Sequence, residues 1–242
     1  MKFKIVSLFV LCAILISCGT SRQGGKKQRK GTKAQVVLTP EQQRKYDYFF
    51  LEASRLKMKD DYSAAFDLLQ HCLTINPNAS SALYEISQYY MYLKQVPQGQ
   101  AALEKAVEND PDNYWYSQGL ASLYQQQNEM QKATNLLESM ATRFSDRMDP
   151  LYSLLDIYNR LEEYDNVITT LNRLEEKMGK NEQLSMEKFR IYLQKKDNQS
   201  AFREIESLVE EYPMDMRYQV ILGDVYMQND KKDEAYNIYK KV

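Results

Sequence analysis

The sequence is short of the residues from which turns, metal centres and nucleophile pairs are built. Its 242 residues include 8 glycines, 6 prolines, 3 cysteines and 1 histidine. Average usage of ~7% would supply about 17 glycines. Tight turns, hairpins and phosphate-cradling loops therefore have little material, and strand-rich or glycine-loop architectures are disfavoured. One histidine and three cysteines are too few for a His/Cys metal cluster, and a Ser/His or Cys/His pair would rest on His71 alone. No catalytic group, cofactor or metal is expected. Acid is missing from the first 38 residues, which hold 8 of the 32 basic side chains and leave 24 against all 33 acids in the remainder. The body is thus nine charges negative although the whole chain sums to −1, so no nucleic-acid partner is expected.

What the chain does have begins at its amino terminus. Lys2 and Lys4 precede the apolar run Ile5 to Ile16, too short to span a bilayer but of the usual length for a secretory h-region. The run ends in Leu15-Ile16-Ser17-Cys18-Gly19, which resembles the lipobox of bacterial lipoproteins. That resemblance implies that residues 1–17 are a signal peptide. It also implies that Cys18 is alkylated by diacylglycerol, becomes the first mature residue and is then N-acylated. Gly19 stands where an inner-membrane retention signal would usually have aspartate, and no acid follows, so the expectation is an outer-membrane anchor facing the periplasm. From Gly19 to Leu38 the six basic residues Arg22, Lys26, Lys27, Arg29, Lys30 and Lys33 alternate with Gly, Gln, Ser and Thr. Such a segment is too polar to fold, and residues 18–38 are expected to act as a tether able to span about 65 Å when stretched.

Thr39-Pro40-Glu41-Gln42 reads as a helix start: Thr39 as cap, Pro40 in the first turn and Gln42 completing a capping box. Beyond it the chain repeats. Leu56, Tyr90, Tyr124, Tyr158, Tyr192 and Tyr226 stand 34 residues apart without a slip. Nine residues later come Ala65, Gly99, Ala133, Val167, Ala201 and Ala235, and four after those Leu69, Leu103, Leu137, Leu171, Ile205 and Tyr239. Pro77, Pro111 and Pro213 keep the same register, with Ser145 and Gly179 in the other two places. Within each copy two apolar runs at helical spacing flank a short polar stretch such as Gln125 to Glu129, which predicts an antiparallel helix pair. One pair cannot bury its apolar face alone and must stack on the next.

The register resembles the tetratricopeptide repeat, most clearly in Leu222-Gly223-Asp224-Val225-Tyr226 followed by Ala235. Glu52 and Lys188 depart from it, standing where that family has an aliphatic residue. The resemblance implies an all-α, right-handed solenoid over residues 39–242, with repeats starting near 46, 80, 114, 148, 182 and 216 and the last one truncated. Tyr239 and Val242 are expected to face a neighbour that is absent, so the chain reads as a fragment of a longer protein, or else further repeats or a partner cover that face. His71 is expected at the surface and Cys72 in the core, where other repeats have Ala106, Met140, Leu174 and Leu208. The acid pairs Asp60-Asp61, Glu162-Glu163, Glu175-Glu176 and Glu210-Glu211 read as solvated helix ends or outer faces.

In proteins of this family the concave groove is lined by fixed positions of each first helix. Counted here, they are Phe50, Tyr84, Gln88, Met91, Tyr92, Trp115, Gln118, Gln125, Tyr152, Asp156, Asn159 and Arg160. Aromatic, amide and Met side chains suit peptide recognition, although some of these rings are expected to pack between repeats instead. Phe50 with Ser54, Tyr84 with Gln88 and Gln118 with Ser122 lack the Lys and Asn of the carboxylate-clamp subfamily, so capture of a chain terminus is not implied. The expected function is a non-enzymatic, lipid-anchored adaptor that holds an envelope protein or peptide in its groove. The alternative is a structural subunit of an outer-membrane assembly or secretion complex.

Overall fold

A computed structural model of the chain describes residues 37–240. The signal segment, Cys18, the basic stretch over residues 22–33 and Val242 lie outside the described residues. Twelve helices follow in order: α1 (Pro40–Lys57), α2 (Tyr62–Ile75), α3 (Ser80–Tyr92), α4 (Val96–Asn109), α5 (Tyr114–Gln126), α6 (Met130–Arg143), α7 (Asp149–Arg160), α8 (Tyr164–Met178), α9 (Glu182–Gln194), α10 (Asn198–Glu211), α11 (Met216–Gln228) and α12 (Lys232–Tyr239). No strand occurs among the described residues. The helices pair into six hairpins, and each helix packs on those before and after it in sequence. The result is the all-α repeat solenoid that the 34-residue register predicts. No helix among the described residues is long and apolar enough to cross a membrane.

The first helix starts as its sequence dictates. The Thr39 hydroxyl accepts from the Gln42 N–H at 3.2 Å, and the Gln42 side chain accepts from the Thr39 N–H at 2.9 Å, with Pro40 in the first turn. Two of the orphan donors of a helix start are thereby satisfied. Leu38, assigned from sequence to the tether, packs instead against the first core cluster beside Tyr46 and Ala53.

Every hairpin turns through a residue in the left-handed helical region: Asp60 (φ 61°), Lys94 (58°), Asn128 (59°), Glu162 (56°), Lys196 (59°) and Asp230 (57°). At the third turn the Glu129 N–H donates to the Tyr124 carbonyl at 2.8 Å, and the Asn128 N–H donates to the Gln125 carbonyl at 3.1 Å. The equivalent two bonds recur at the other five turns. This is the Schellman arrangement, which satisfies the last carbonyls of a helix. The scarcity of glycine therefore does not mean a scarcity of tight turns, contrary to the reading of composition. Six such turns are present and none stands on glycine, because the hairpin packing on either side holds each backbone in place. Gly179 (φ 80°), just after α8, is the one glycine used for a positive angle among the described residues.

Between the helices of a hairpin, the small residue of the second helix sets the approach. Ala65, Ala133, Val167, Ala201 and Ala235 are fully buried. In the second hairpin a Cβ on Gly99 would stand 2.7 Å from the Met91 sulfur, so glycine is needed there for that close contact. Leu69, Leu103, Leu137, Leu171 and Ile205, four residues further on, are also buried. Tyr239, at the same register position in α12, stays 38% exposed. Its ring lies over Gly223 of its own hairpin, and its hydroxyl donates to Asp224 at 2.6 Å. Between hairpins, the buried Tyr124 and Tyr158 reach back to the preceding one, donating to Glu104 at 2.8 Å and Glu138 at 3.3 Å. Burial, together with those carboxylates, pushes both phenols above their usual range.

The two departures from the repeat pattern have different physical resolutions. Their position faces the preceding hairpin, and α1 has none among the described residues, so Glu52 remains half-exposed and pairs with Arg55. Lys188 is only 4% exposed, with its ammonium 2.7 Å from Glu175 of α8 and 3.1 Å from Glu204 of α10. Burial by itself would lower its pKa, but the hydrogen bond donated to Glu175 and the charges of Glu204 and Glu175 outweigh that and raise it. Glu175 is accordingly not a solvated outer-face acid, as its pairing with Glu176 suggests from sequence, but a counter-ion between helices.

Three outcomes are expected from urea unfolding. Glu162→Gly and Lys196→Gly each raise stability by about 1 kcal/mol, because a left-handed conformation costs a side chain with a Cβ roughly 1–2 kcal/mol, part of which glycine returns through unfolded-state entropy. Lys188→Met lowers stability by about 3 kcal/mol, since two carboxylates are left facing each other without their cation. Replacing Lys188, Glu175 and Glu204 together by leucine recovers most of that loss.

Candidate protein-interaction surface

The candidate groove residues fall on α1, α3, α5 and α7, the first helices of the first four hairpins. Side chains connect these helices directly. The Tyr46 hydroxyl lies 3.1 Å from Ser81, Lys57 donates to Glu85 at 2.7 Å, and Tyr84 stacks on Tyr116 at 4.8 Å between ring centres. The structure divides the twelve residues by what else they touch.

Three serve packing. Phe50 is half-buried and stacks on Tyr46 with the rings 6.0 Å apart and nearly coplanar. Tyr84 is half-buried between two core clusters, and Met91 is half-buried with its thioether on Gly99. Gln118 and Gln125 are half-buried on α5, and Gln118 accepts from the Tyr114 hydroxyl at 2.9 Å.

The remaining seven are exposed. Tyr92 is 81% exposed at the end of α3, Trp115 63% at the start of α5, and Tyr152 46% on α7. Gln88, Asp156, Asn159 and Arg160 are exposed around them. The Arg160 guanidinium lies 3.8 Å from Asp156 one turn away, a surface pair of little energetic weight. The Tyr152 hydroxyl donates to the Met178 sulfur at 3.3 Å.

Some residues of this surface were not picked out by the sequence reading. Arg147, in the connection before α7, places its guanidinium 3.8 Å from the Tyr114 ring centre and 5.6 Å from that of Trp115. It braces the indole by a cation–π contact. No spacing rule points to it, because it comes from a loop. Leu193 on α9 and Val220 and Met227 on α11 are also exposed, and they occupy the same register positions carried into the fifth and sixth hairpins. Extending the count past the fourth repeat would have found them.

The reactive side chains lie elsewhere. Cys72 is fully buried, and burial pushes its thiol up to about 11, so at neutral pH it is a protonated core residue. His71 is exposed, with its ring 5.7 Å from Phe49. Among the described residues no group of three His, Cys, Asp or Glu side chains is placed to hold a metal ion.

Residues 80–113, the whole second hairpin, and 217–242, most of the sixth, match the tetratricopeptide repeat family. The fold is that of a tetratricopeptide-repeat solenoid. A tetratricopeptide repeat protein from Parabacteroides merdae is similar, with a TM-score of 0.52 and 17% identity over 82% of this chain and 79% of that one. The structure of Naa15/Naa10 bound to HypK-THB gives a TM-score of 0.58 and 16% identity over 83% of this chain but 32% of that chain, so this solenoid corresponds to about a third of it. At these identities the likeness is one of fold. No curated protein matches the chain in sequence.

The division of the tetratricopeptide-type face into packing and exposed residues can be measured by unfolding. Tyr84→Ala is expected to cost about 2–3 kcal/mol, as for removal of a partly buried ring. Tyr92→Ala and Tyr152→Ala should each stay within about 0.5 kcal/mol of the parent chain.

Proposed function

We propose that this chain is a lipid-anchored scaffold that faces the periplasm from the outer membrane and holds an envelope protein or peptide on the face of its first helices. The observation that carries the interaction reading is the exposure of Tyr92, Trp115 and Tyr152 on three successive hairpins, whereas Phe50 and Tyr84, also at groove positions of the register, are half-buried in ring stacks. Large aromatic side chains concentrate binding energy at interfaces, since each buries much area for little lost rotamer freedom. Tyr92 stands at the end of its helix and Trp115 at the start of the next first helix, so at 1.5 Å per residue they are offset by about 16 Å along the helix direction. An extended peptide that touches both crosses the face obliquely.

The membrane part of the proposal rests on the sequence alone. Lys2 and Lys4, the apolar run to Ile16 and the series Leu15-Ile16-Ser17-Cys18-Gly19 support a lipid on Cys18. Lipid chains at Cys18 and a six-cation segment behind it would keep an acidic body close to an anionic surface without pressing it there, because 24 cations against 33 acids in residues 39–242 oppose adsorption.

The test is crosslinking of the full chain in cells, followed by identification of what it captures. The combined variant Tyr92→Ala, Trp115→Ala, Tyr152→Ala should fold as the parent does yet lose its captured partner, with affinity weakened at least about 100-fold by loss of the aromatic anchors. Cys18→Ser should move the protein out of the membrane fraction and leave partner binding unchanged. Capture of a barrel protein in fixed stoichiometry that survives the triple substitution would instead make the chain a structural subunit of an assembly.

A further inference from the structure

Five connections join the six hairpins, and the one between α8 and α9 is built differently from the rest. After α2, α4, α6 and α10 a backbone bond closes the connection. The Ala79 N–H donates to the Asn76 carbonyl at 3.2 Å, Asn113 to Asp110 at 3.3 Å, Arg147 to Phe144 at 2.9 Å and Asp215 to Tyr212 at 3.0 Å. No corresponding bond to the Met178 or Gly179 carbonyl closes the connection after α8. Three of the other connections contain Pro77, Pro111 or Pro213, whose rings fix one backbone angle. Gly179 instead holds φ 80° and ψ 175°, a conformation that residues with a Cβ rarely adopt. Nothing lies within 4 Å of the place a Cβ would occupy there.

The packing across this joint differs as well. At the register position of Lys188 the other hairpins bury Ile86, Leu120, Leu154 and Leu222. Tyr124 and Tyr158 bond back to Glu104 and Glu138, but Tyr192 has Asn172 in that place and makes no such bond. Leu184 and Ile191 still bury apolar surface against the middle core, and Lys195 pairs with the exposed Asp165. The buried polar link across the joint is that of Lys188 to Glu175. Apolar contact is non-directional and survives sliding, whereas an ammonium between two carboxylates needs one geometry. Glu204 belongs to the same hairpin as Lys188, so a separation of α8 from α9 parts Lys188 from Glu175 alone. The cation keeps Glu204, and Glu175, whose side chain is already 23% exposed, regains water.

We propose that the joint between the fourth and fifth hairpins is a hinge, with Gly179 as its pivot and the Lys188–Glu175 pair holding the closed form seen in the structure. A few connecting residues that absorb a change of backbone angle are enough for such a motion. It carries Leu193, Val220 and Met227, on the first helices of the last two hairpins, relative to Tyr92, Trp115 and Tyr152 on the earlier ones. The width of the first-helix face changes while every side chain on it stays the same. The hinge stands on its connection and its seam, whether or not that face binds a partner.

The experiment measures distances between pairs of nitroxide spin labels in the full chain, carried on encoded ketone side chains so that its cysteines are left alone. Ala101, Asn135, Thr169 and Arg203 are exposed equivalents on α4, α6, α8 and α10, each 34 residues from the next. Labels at Ala101 and Thr169 span two joints that exclude the hinge, and labels at Asn135 and Arg203 span the hinge and one of those two. The second pair should show a further distance that the first lacks. Glu175→Gln, which keeps the shape and removes the charge, should raise the population at that distance about fivefold, the difference between a charged and a neutral hydrogen bond. Gly179→Ala should raise it too, because alanine disfavours the closed backbone. Neither substitution should alter the first pair. Matching distance distributions for the two pairs in the parent chain, a response of both pairs alike, or no response of the second pair to either substitution would overturn the proposal.

Discussion

One backbone arrangement sets the geometry of every hairpin: the carbonyl of the residue that recurs every 34 positions accepts the bond that closes the turn. At Tyr124 that bond comes from the Glu129 N–H, across an Asn128 held in the left-handed region. The same residue also faces outward from its hairpin, where its hydroxyl meets Glu104 of the hairpin before. Backbone and side chain of one tyrosine thus fix both the angle within a repeat and the seam between repeats. Because the turn length never changes, the small residue nine positions on always arrives opposite the first helix, and Ala133 or Ala65 can be fully buried there. A solenoid of this kind is stable as a sum of such local units and their neighbours.

Charge is handled in the same local way. Lys188 breaks the apolar pattern, yet it is stabilised because the helices on both sides of α9 bring Glu175 and Glu204 to it. Glu52 breaks the pattern at the first hairpin, where it stays near solvent with Arg55 as its partner. The same register position is therefore a core site in one hairpin and a rim site in another, according to what precedes it in the stack.

The exposed aromatic residues acquire meaning against this economy. The chain uses most of its tyrosines for seams and cores, as at Tyr46, Tyr89, Tyr114, Tyr124, Tyr158 and Tyr218. Tyr92, Trp115 and Tyr152 do not close a seam, and Arg147 braces one of them by a cation–π contact without covering it. Aromatic side chains left open on three successive first helices are the features on which recognition of another protein can act.

The 34-residue spacing, the capping box at Thr39 and the small residues of the second helices were all legible in the sequence, because helix periodicity and caps depend on near neighbours in the chain. The burial of Cys72 was legible for the same reason. The turns were not. Composition argues against tight turns, and only the stacked hairpins explain why Lys94, Glu162 and Lys196 can hold a conformation that glycine would adopt more easily. Nor could spacing alone separate Phe50, Tyr84 and Met91, which pack, from Tyr92, Trp115 and Tyr152, which do not. All six lie at groove positions of the register. Their separation depends on Tyr46, Tyr116 and Gly99, the residues they actually meet. The sequence by itself determined the repeat, its period and the charge contrast between the first 38 residues and the rest. Which aromatic side chains remain for a partner was decided by tertiary packing, because burial depends on contacts between helices that periodicity does not encode.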